Sequence, residues 1–214
     1  MEEKLEYLTI KKDDIIEMEV KKSRFITHLK RVETQDEAKN FIQAIKKEHW
    51  KASHNCSAFI LGQNMEIQRS SDDGEPSGTA GVPMLEVLKK NQLINVVAVV
   101  TRYYGGIKLG AGGLIRAYAT SVSNAINEIG IVKGVKQQEI DLTISYNNIG
   151  KVQNFLLENP QYFTKDTVYA ENVILTVFSD SNEVNMLEEN LIDLLNGNIE
   201  ITKKDFIWTE IPFK

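Results

Sequence analysis

Apolar residues along this chain switch between two spacings, and each switch marks an element. DIIEMEV (14–20) alternates like a strand and SRFITHLKRV (23–32) is strand-like, with Lys21-Lys22 as the turn between them. The spacing then lengthens to three and four in TQDEAKNFIQAIKKEH, which predicts a helix over 34–49. Thr34 opens that helix and Glu37 follows three residues later, the capping-box spacing. SHNCSAFILG and MEIQRSS read as short strands, SDDGEPSGTAGVP as a polar loop, and PMLEVLKKN as a short helix. INVVAVVTRYY is the most strongly β-branched run and is expected to be a central strand. GGLIRAYATSVSNAINEIG reads as a long helix, with Ile115, Ala119, Val122, Ile126 and Ile129 expected to face inward.

Val132-Lys133-Gly134-Val135 is expected to be a linker. After it, KQQEIDLTISY alternates like a strand, and NNIGKVQNFLLENP places Ile149, Val152, Phe155 and Leu156 at helical spacing. YFTKDTVYA and ENVILTVFS are strand-like. SNEVNMLEENLIDLLNG is a helix with a stripe of Val184, Leu187, Leu191, Leu194 and Leu195, and NIEITKKDFIWTEI is a last strand. This β-α-β-β-α-β sequence is the ferredoxin-like order, and right-handed crossovers put both helices on one face of an antiparallel sheet. The pattern predicts an α+β protein of two domains, residues 1–134 and 135–214.

Composition narrows the class. With 42% hydrophobic and 26% charged residues, the chain has the make-up of an ordinary globular protein. It contains no run of 18 apolar residues, so no membrane contact is expected. The opening MEEKLEYLTIKKDD is charged and does not read as a signal peptide. The single cysteine, Cys56, fits a reducing cytoplasm. The net charge of −5 is uneven: residues 1–134 carry 19 Lys and Arg against 17 Asp and Glu, and the remainder carries 6 against 13. All five arginines lie in the first part, and eight of the thirteen glycines fall between Gly74 and Gly113, so a binding site is sought there.

The stretch VVTRYYGGIKLGAGGLIRAY holds the strongest candidate. A strand ends in Arg102, Tyr103 and Tyr104. A loop with Gly105, Gly106, Lys108 and Gly110 follows, and Gly112, Gly113 and Arg116 lie on the helix it opens. Free backbone N–H groups at a helix start favour anions, and one of the two tyrosines should point outward, able to stack on a base. The alternative reading is that the glycines serve only a tight turn and close packing. Walker A and dinucleotide fingerprints both fail here, because Ala111-Gly112 follows Gly110 and Ile115 stands where a third glycine belongs.

Elsewhere the chemistry is sparse. Asp72, Asp73 and Glu75 read either as ligands for a hard metal or as an exposed turn before a helix capped by Thr79. His54 and Cys56 share a strand face, but Ala58 and Ile60 continue it, so Cys56 is expected to be buried and inert. The three histidines are far apart, and there is no CxxC, HExxH or GxSxG. No catalytic residue, cofactor or metal is expected.

SDDGEPSGTAGVPML followed by VVAVVTRYYGGIKLGAGGLIRAY resembles the Impact family, and HNCSAF and KKSRFI also match family elements. The resemblance covers roughly residues 15–130, and the remainder resembles the DUF1949-type C-terminal domain of the bacterial, YigZ-like branch. It implies a ribosomal protein S5 domain 2-like N-terminal fold, as in domain IV of elongation factor G, followed by a domain like that factor's domain V. Eukaryotic members regulate translation through an added N-terminal RWD module, which is not expected here because the resemblance begins within about 15 residues of the first one. Some bacterial members carry a proline-dipeptidase label, but this sequence does not assemble the His, Asp and Glu ligands that activity needs. The expected function is therefore a non-catalytic, cytoplasmic, translation-associated regulator whose partner is RNA or the ribosome, without sequence-specific DNA binding. The alternatives are an enzyme acting on a phosphorylated or nucleotide-like small molecule at the same loop, and a protein–protein adaptor.

Overall fold

The protein is described by a computed structural model covering residues 6–213. It is α+β and divides into two compact units, residues 7–133 with 211–213, and residues 134–210 with Glu6. The first unit runs β1 (Glu6–Ile10), β2 (Asp14–Val20), β3 (Ser23–Arg31), α1 (Gln35–Glu48), β4 (His54–Leu61), β5 (Ile67–Ser71), α2 (Gly81–Lys90), β6 (Val96–Tyr103) and α3 (Ala111–Ile129). Strands β2-β3-β6-β4-β5 form an antiparallel sheet with β6 in the middle.

The position of β6 explains its composition. Val96, Ala98 and Val100 join a core with Met84 and Leu88 of α2 and Tyr118, Val122 and Ile126 of α3. Val97 and Val99 join a second core with Ala38 and Ile45 of α1. With both faces covered, the strand is apolar at every position from Val96 to Val100 instead of at alternate ones. The same two-residue period puts Arg102 on the α2/α3 side and Tyr103 on the α1 side.

Helix α1 is capped as expected: Glu37 N–H donates to Thr34 Oγ1 at 3.2 Å, and the Glu37 carboxylate accepts from Glu33 N–H at 2.8 Å. Of the five residues expected to face inward on α3, Val122, Ile126 and Ile129 are buried and Ala119 is half-buried. Ile115 is exposed, and the buried face is Leu114, Ala117, Tyr118, Ser121, Val122, Ala125, Ile126 and Ile129. Two polar groups turn the helix this way. The Ser121 hydroxyl hydrogen-bonds Thr27, and the Tyr118 hydroxyl donates to Glu75.

The second unit runs β7 (Ile131–Ile144), α4 (Ile149–Glu158), β8 (Phe163–Tyr169), β9 (Val173–Asp180), α5 (Val184–Leu194) and β10 (Glu200–Pro212). β9 lies between β7 and β8, and β10 pairs with β7. Both helices cover one face, where Val152, Leu156, Leu187 and Leu191 meet Ile140, Leu142, Leu175 and Val177. Leu194, expected in the stripe, is exposed. The segment 132–135 is not a loop: it lies inside β7, where β-branched valines suit a strand, and β1 is a strand that the sequence pattern did not reveal.

His28 on β3 is 2% exposed, and among the described residues neither ring nitrogen has a hydrogen-bond partner. Burial, reinforced by the nearby His49 ring at 5.1 Å and opposed by Glu48, lowers its pKa from 6.5 to about 4. The unfolded chain therefore binds this proton more readily than the folded one. The His28 contribution is complete above pH 6.5 and is lost as pH falls toward 4, a loss of up to about 3 kcal/mol. Urea melts of wild type and His28→Leu from pH 7 to pH 4 should show the wild type losing more stability by about this amount. Parallel pH profiles would contradict it.

Candidate functional site

The side of β6 facing α2 and α3 ends in a buried ion pair. Arg102 is 5% exposed, and its Nη1 donates to Glu75 Oε1 at 2.7 Å. The Tyr118 hydroxyl donates to the same oxygen at 2.8 Å, and Nη2 reaches Ser23 Oγ at 3.4 Å. The guanidinium lies 5.5 Å from the ring centroids of both Phe25 and Tyr104. Its Nε is buried and has no partner among the described residues. Arg102 thus faces inward and forms the floor of the region.

Each acid of the loop after β5 is held by the protein's own donors. Asp72 Oδ1 accepts from Ala80 N–H at 3.1 Å and Gly81 N–H at 2.8 Å, and its Oδ2 accepts from Gly78 N–H at 2.8 Å. Burial pushes this carboxyl's pKa up, but the three N–H donors outweigh burial and hold it below the usual range. Asp72 is therefore the cap of α2. Thr79, expected in that role, donates its hydroxyl to Pro76 O at 2.6 Å. Asp73 takes Lys46 Nζ and Asn55 N–H, both at 2.6 Å. Among the described residues no group of three or more His, Cys, Asp or Glu is placed to hold a metal ion. Cys56 is buried, with its Sγ donating to Asp72 O at 3.0 Å, and burial pushes its thiol up to about 12. His54 bonds the Asp73 carbonyl through Nδ1 at 2.9 Å.

The glycine loop forms a rim above this floor. A Cβ on Gly105 would lie 2.0 Å from the backbone carbonyl of Lys22, so glycine is required for the loop to pack on the β2–β3 turn. That turn is two residues long, with Lys21 at φ 48° and Lys22 at φ 64°. Positive φ at both positions ordinarily selects Asn-Gly. Gly110 begins α3 at φ 70° with no side-chain cap. Arg116 leans back toward the helix start, its Nη1 3.7 Å from where a Gly112 Cβ would stand. Lys21, Lys22, Lys108 and Arg116 are exposed and form no ion pair among the described residues.

Two clefts flank Leu109. One of about 500 Å³ is lined by Lys21, Glu19 and Arg116 among others. The other, about 350 Å³, is lined by Pro76, Arg102, Tyr104, Lys108, Gly110 and Ala111 among others. Of the sequence candidates, Tyr104, Gly105, Gly106, Lys108, Gly110, Gly112, Gly113 and Arg116 come together at this rim. Tyr103 lies on the other side of the sheet, its hydroxyl 3.0 Å from His49 Nδ1 and Arg24 over its ring. Sequence reasoning missed Glu75 as the partner of Arg102, and it read Lys21-Lys22 only as a turn. The left-handed backbone that a two-residue hairpin imposes was the available signal that this pair is displayed.

Comparison with known proteins defines the class: an Impact N-terminal domain matches residues 21–126, and a domain of unknown function (DUF1949) matches residues 142–198. The IMPACT family member YvyE of Bacillus subtilis is 50% identical over 204 residues, covering 95% of this chain and 94% of the relative. The IMPACT family member YigZ of Escherichia coli is 35% identical over 186 residues, covering 86% and 90%. A solved structure titled as that of a hypothetical protein superposes with a TM-score of 0.59 at 32% identity, covering 94% of this chain and 98% of that one. The chain belongs to the IMPACT family, as a YigZ/YvyE-like bacterial member. Similarity to the Protein IMPACT homolog of Dictyostelium discoideum is narrower: 38% identity over 94 residues, 27% of that relative.

Removing Glu75 leaves the Arg102 charge buried and unpaired, so Glu75→Ala should cost about 3–5 kcal/mol in chemical denaturation. Gly105→Ala should destabilise by at least about 1–3 kcal/mol, because it drives a Cβ into the Lys22 backbone. Gly106→Ala meets no neighbour and carries only the strain of its positive φ, about 1–2 kcal/mol. Equal losses at Gly105 and Gly106 would refute the close-packing role of Gly105.

Proposed function

We propose that this protein is a non-catalytic, translation-associated regulator of the cytoplasm that contacts RNA, including ribosomal RNA, through the glycine-rich rim of its first unit. The observation that carries the reading is the set of exposed cations without ion-pair partners among the described residues, Lys21, Lys22, Lys108 and Arg116, around the uncapped start of α3. Lys46, Lys30, Arg24 and Arg102 of the same unit are engaged by acids. A cluster of unneutralised cations beside free backbone donors suits phosphate groups. The cost of holding two lysines at positive φ in the β2–β3 turn fits a display role. Fold analogy supports the same reading. The βαββαβ order of the second unit fits a ferredoxin-like fold like domain V of elongation factor G, and the five-stranded first unit fits the S5 domain 2-like fold of domain IV.

The test is a salt series of RNA and ribosome binding with wild type and the Lys108→Ala/Arg116→Ala double variant. Each lost phosphate contact should cost about 1–3 kcal/mol, roughly tenfold to a hundredfold in affinity. Losing two should also flatten the log–log salt slope by about 1.4 for single-stranded RNA. The melting temperature should stay nearly unchanged, because both side chains are exposed and unpaired. Wild-type affinity and slope in the double variant would overturn the reading.

A further inference from the structure

The rim accounts for attraction to phosphate but not for the smaller of the two clefts beside it. That cleft has walls of different chemistry. One is the Tyr104 ring, 48% exposed, whose inner side is backed by the Arg102 guanidinium at 5.5 Å. Pro76, Leu109 and Leu114 supply apolar lining. Glu75 and Arg102 lie at its base as a neutralised pair, so the floor presents little net charge. Arg102 lines the cleft while 5% exposed, and its buried Nε has no partner among the described residues. At the far end stand Gly110 and Ala111, where α3 begins without a side-chain cap, and Lys108 stands at the mouth.

We propose that this cleft seats one nucleotide unit of single-stranded RNA, with its base stacked on the exposed face of Tyr104 and its phosphate at Lys108 and the first N–H groups of α3. The proposal rests on the RNA reading of the rim and sharpens it. Aromatic stacking takes any unpaired base, whereas a base inside a duplex is already stacked on its neighbours. A volume of about 350 Å³ lies at the lower end of the range for small-molecule sites, about 300–1,000 Å³, and fits one unit, not several. The guanidinium behind Tyr104 holds the ring in place, so stacking costs little further ordering. Lys108 has no carboxylate to give up when it meets a phosphate.

The full chain is titrated by NMR with AMP, adenosine and inorganic phosphate, and by fluorescence anisotropy with a twelve-residue oligouridylate and an RNA duplex of the same length. The variants are Tyr104→Ala, Tyr104→Phe and Lys108→Ala. AMP should shift the amides of residues 104–114 and bind more tightly than adenosine or phosphate. Tyr104→Ala should weaken AMP and the oligouridylate about tenfold or more, with Tyr104→Phe restoring both, and should leave the duplex unaffected. Lys108→Ala should weaken AMP but not adenosine. Phosphate binding as well as AMP does, or an oligouridylate indifferent to Tyr104, overturns the nucleotide site. If the oligouridylate still responds to the Lys108→Ala/Arg116→Ala pair in that case, the rim reading survives. AMP binding without oligouridylate binding overturns the single-strand assignment together with the RNA reading.

Discussion

Burying a guanidinium between two aromatic rings is tolerable only with a carboxylate to meet it, and the pairing of Arg102 with Glu75 organises the first unit. Arg102 sits at the end of the central strand, so its position is fixed by the sheet. Glu75 must come from a loop, and that loop is tethered around it: Asp72 caps α2, Asp73 holds Lys46 and the Asn55 N–H, and Tyr118 of α3 shares Glu75 with Arg102. One ion pair thereby sets the loop, the start of α2 and the rotation of α3. Asp72, Asp73 and Glu75 are committed beneath the rim and do not reach its cations.

The two carboxylate-rich and glycine-rich segments that stand out in the sequence are therefore two layers of one construction. The acidic loop neutralises and braces the interior, and the glycine loop lies above it, anchored where Tyr104 and Gly105 N–H donate to Ser53 and Ser23 Oγ. Two helix starts show the division of labour. α2 is closed by Asp72 from inside the protein, whereas α3 begins at Gly110 with no side-chain hydrogen bond capping it.

Much of this was legible in the sequence where the physics is local. The central position of β6 follows from a β-branched run too long and too apolar for a half-exposed strand. The Thr34 cap follows from a three-residue spacing, and the βαββαβ order of the second unit from alternating periods. What escaped was decided by distant partners. The buried face of α3 includes Tyr118 and Ser121, polar residues drawn inward by Glu75 and Thr27, which an apolar stripe leaves out. The choice of Glu75 over Asp72 or Asp73 for Arg102 is made across 27 residues by loop geometry. The union of Lys21 and Lys22 with the rim depends on a backbone contact at Gly105 that no side-chain pattern encodes.

The strand β7 has its own bearing on how such a chain can change over evolutionary time. Within the second unit its Ile140, Leu142 and Ile144 pair with Val177, Leu175 and Val173 of β9 and enter one core. Side chains along a strand alternate faces, so one residue added among them would reverse every side chain beyond it unless a bulge absorbed it. A surface loop accepts insertions freely. This stretch of β7 accepts new residue identities but holds its length.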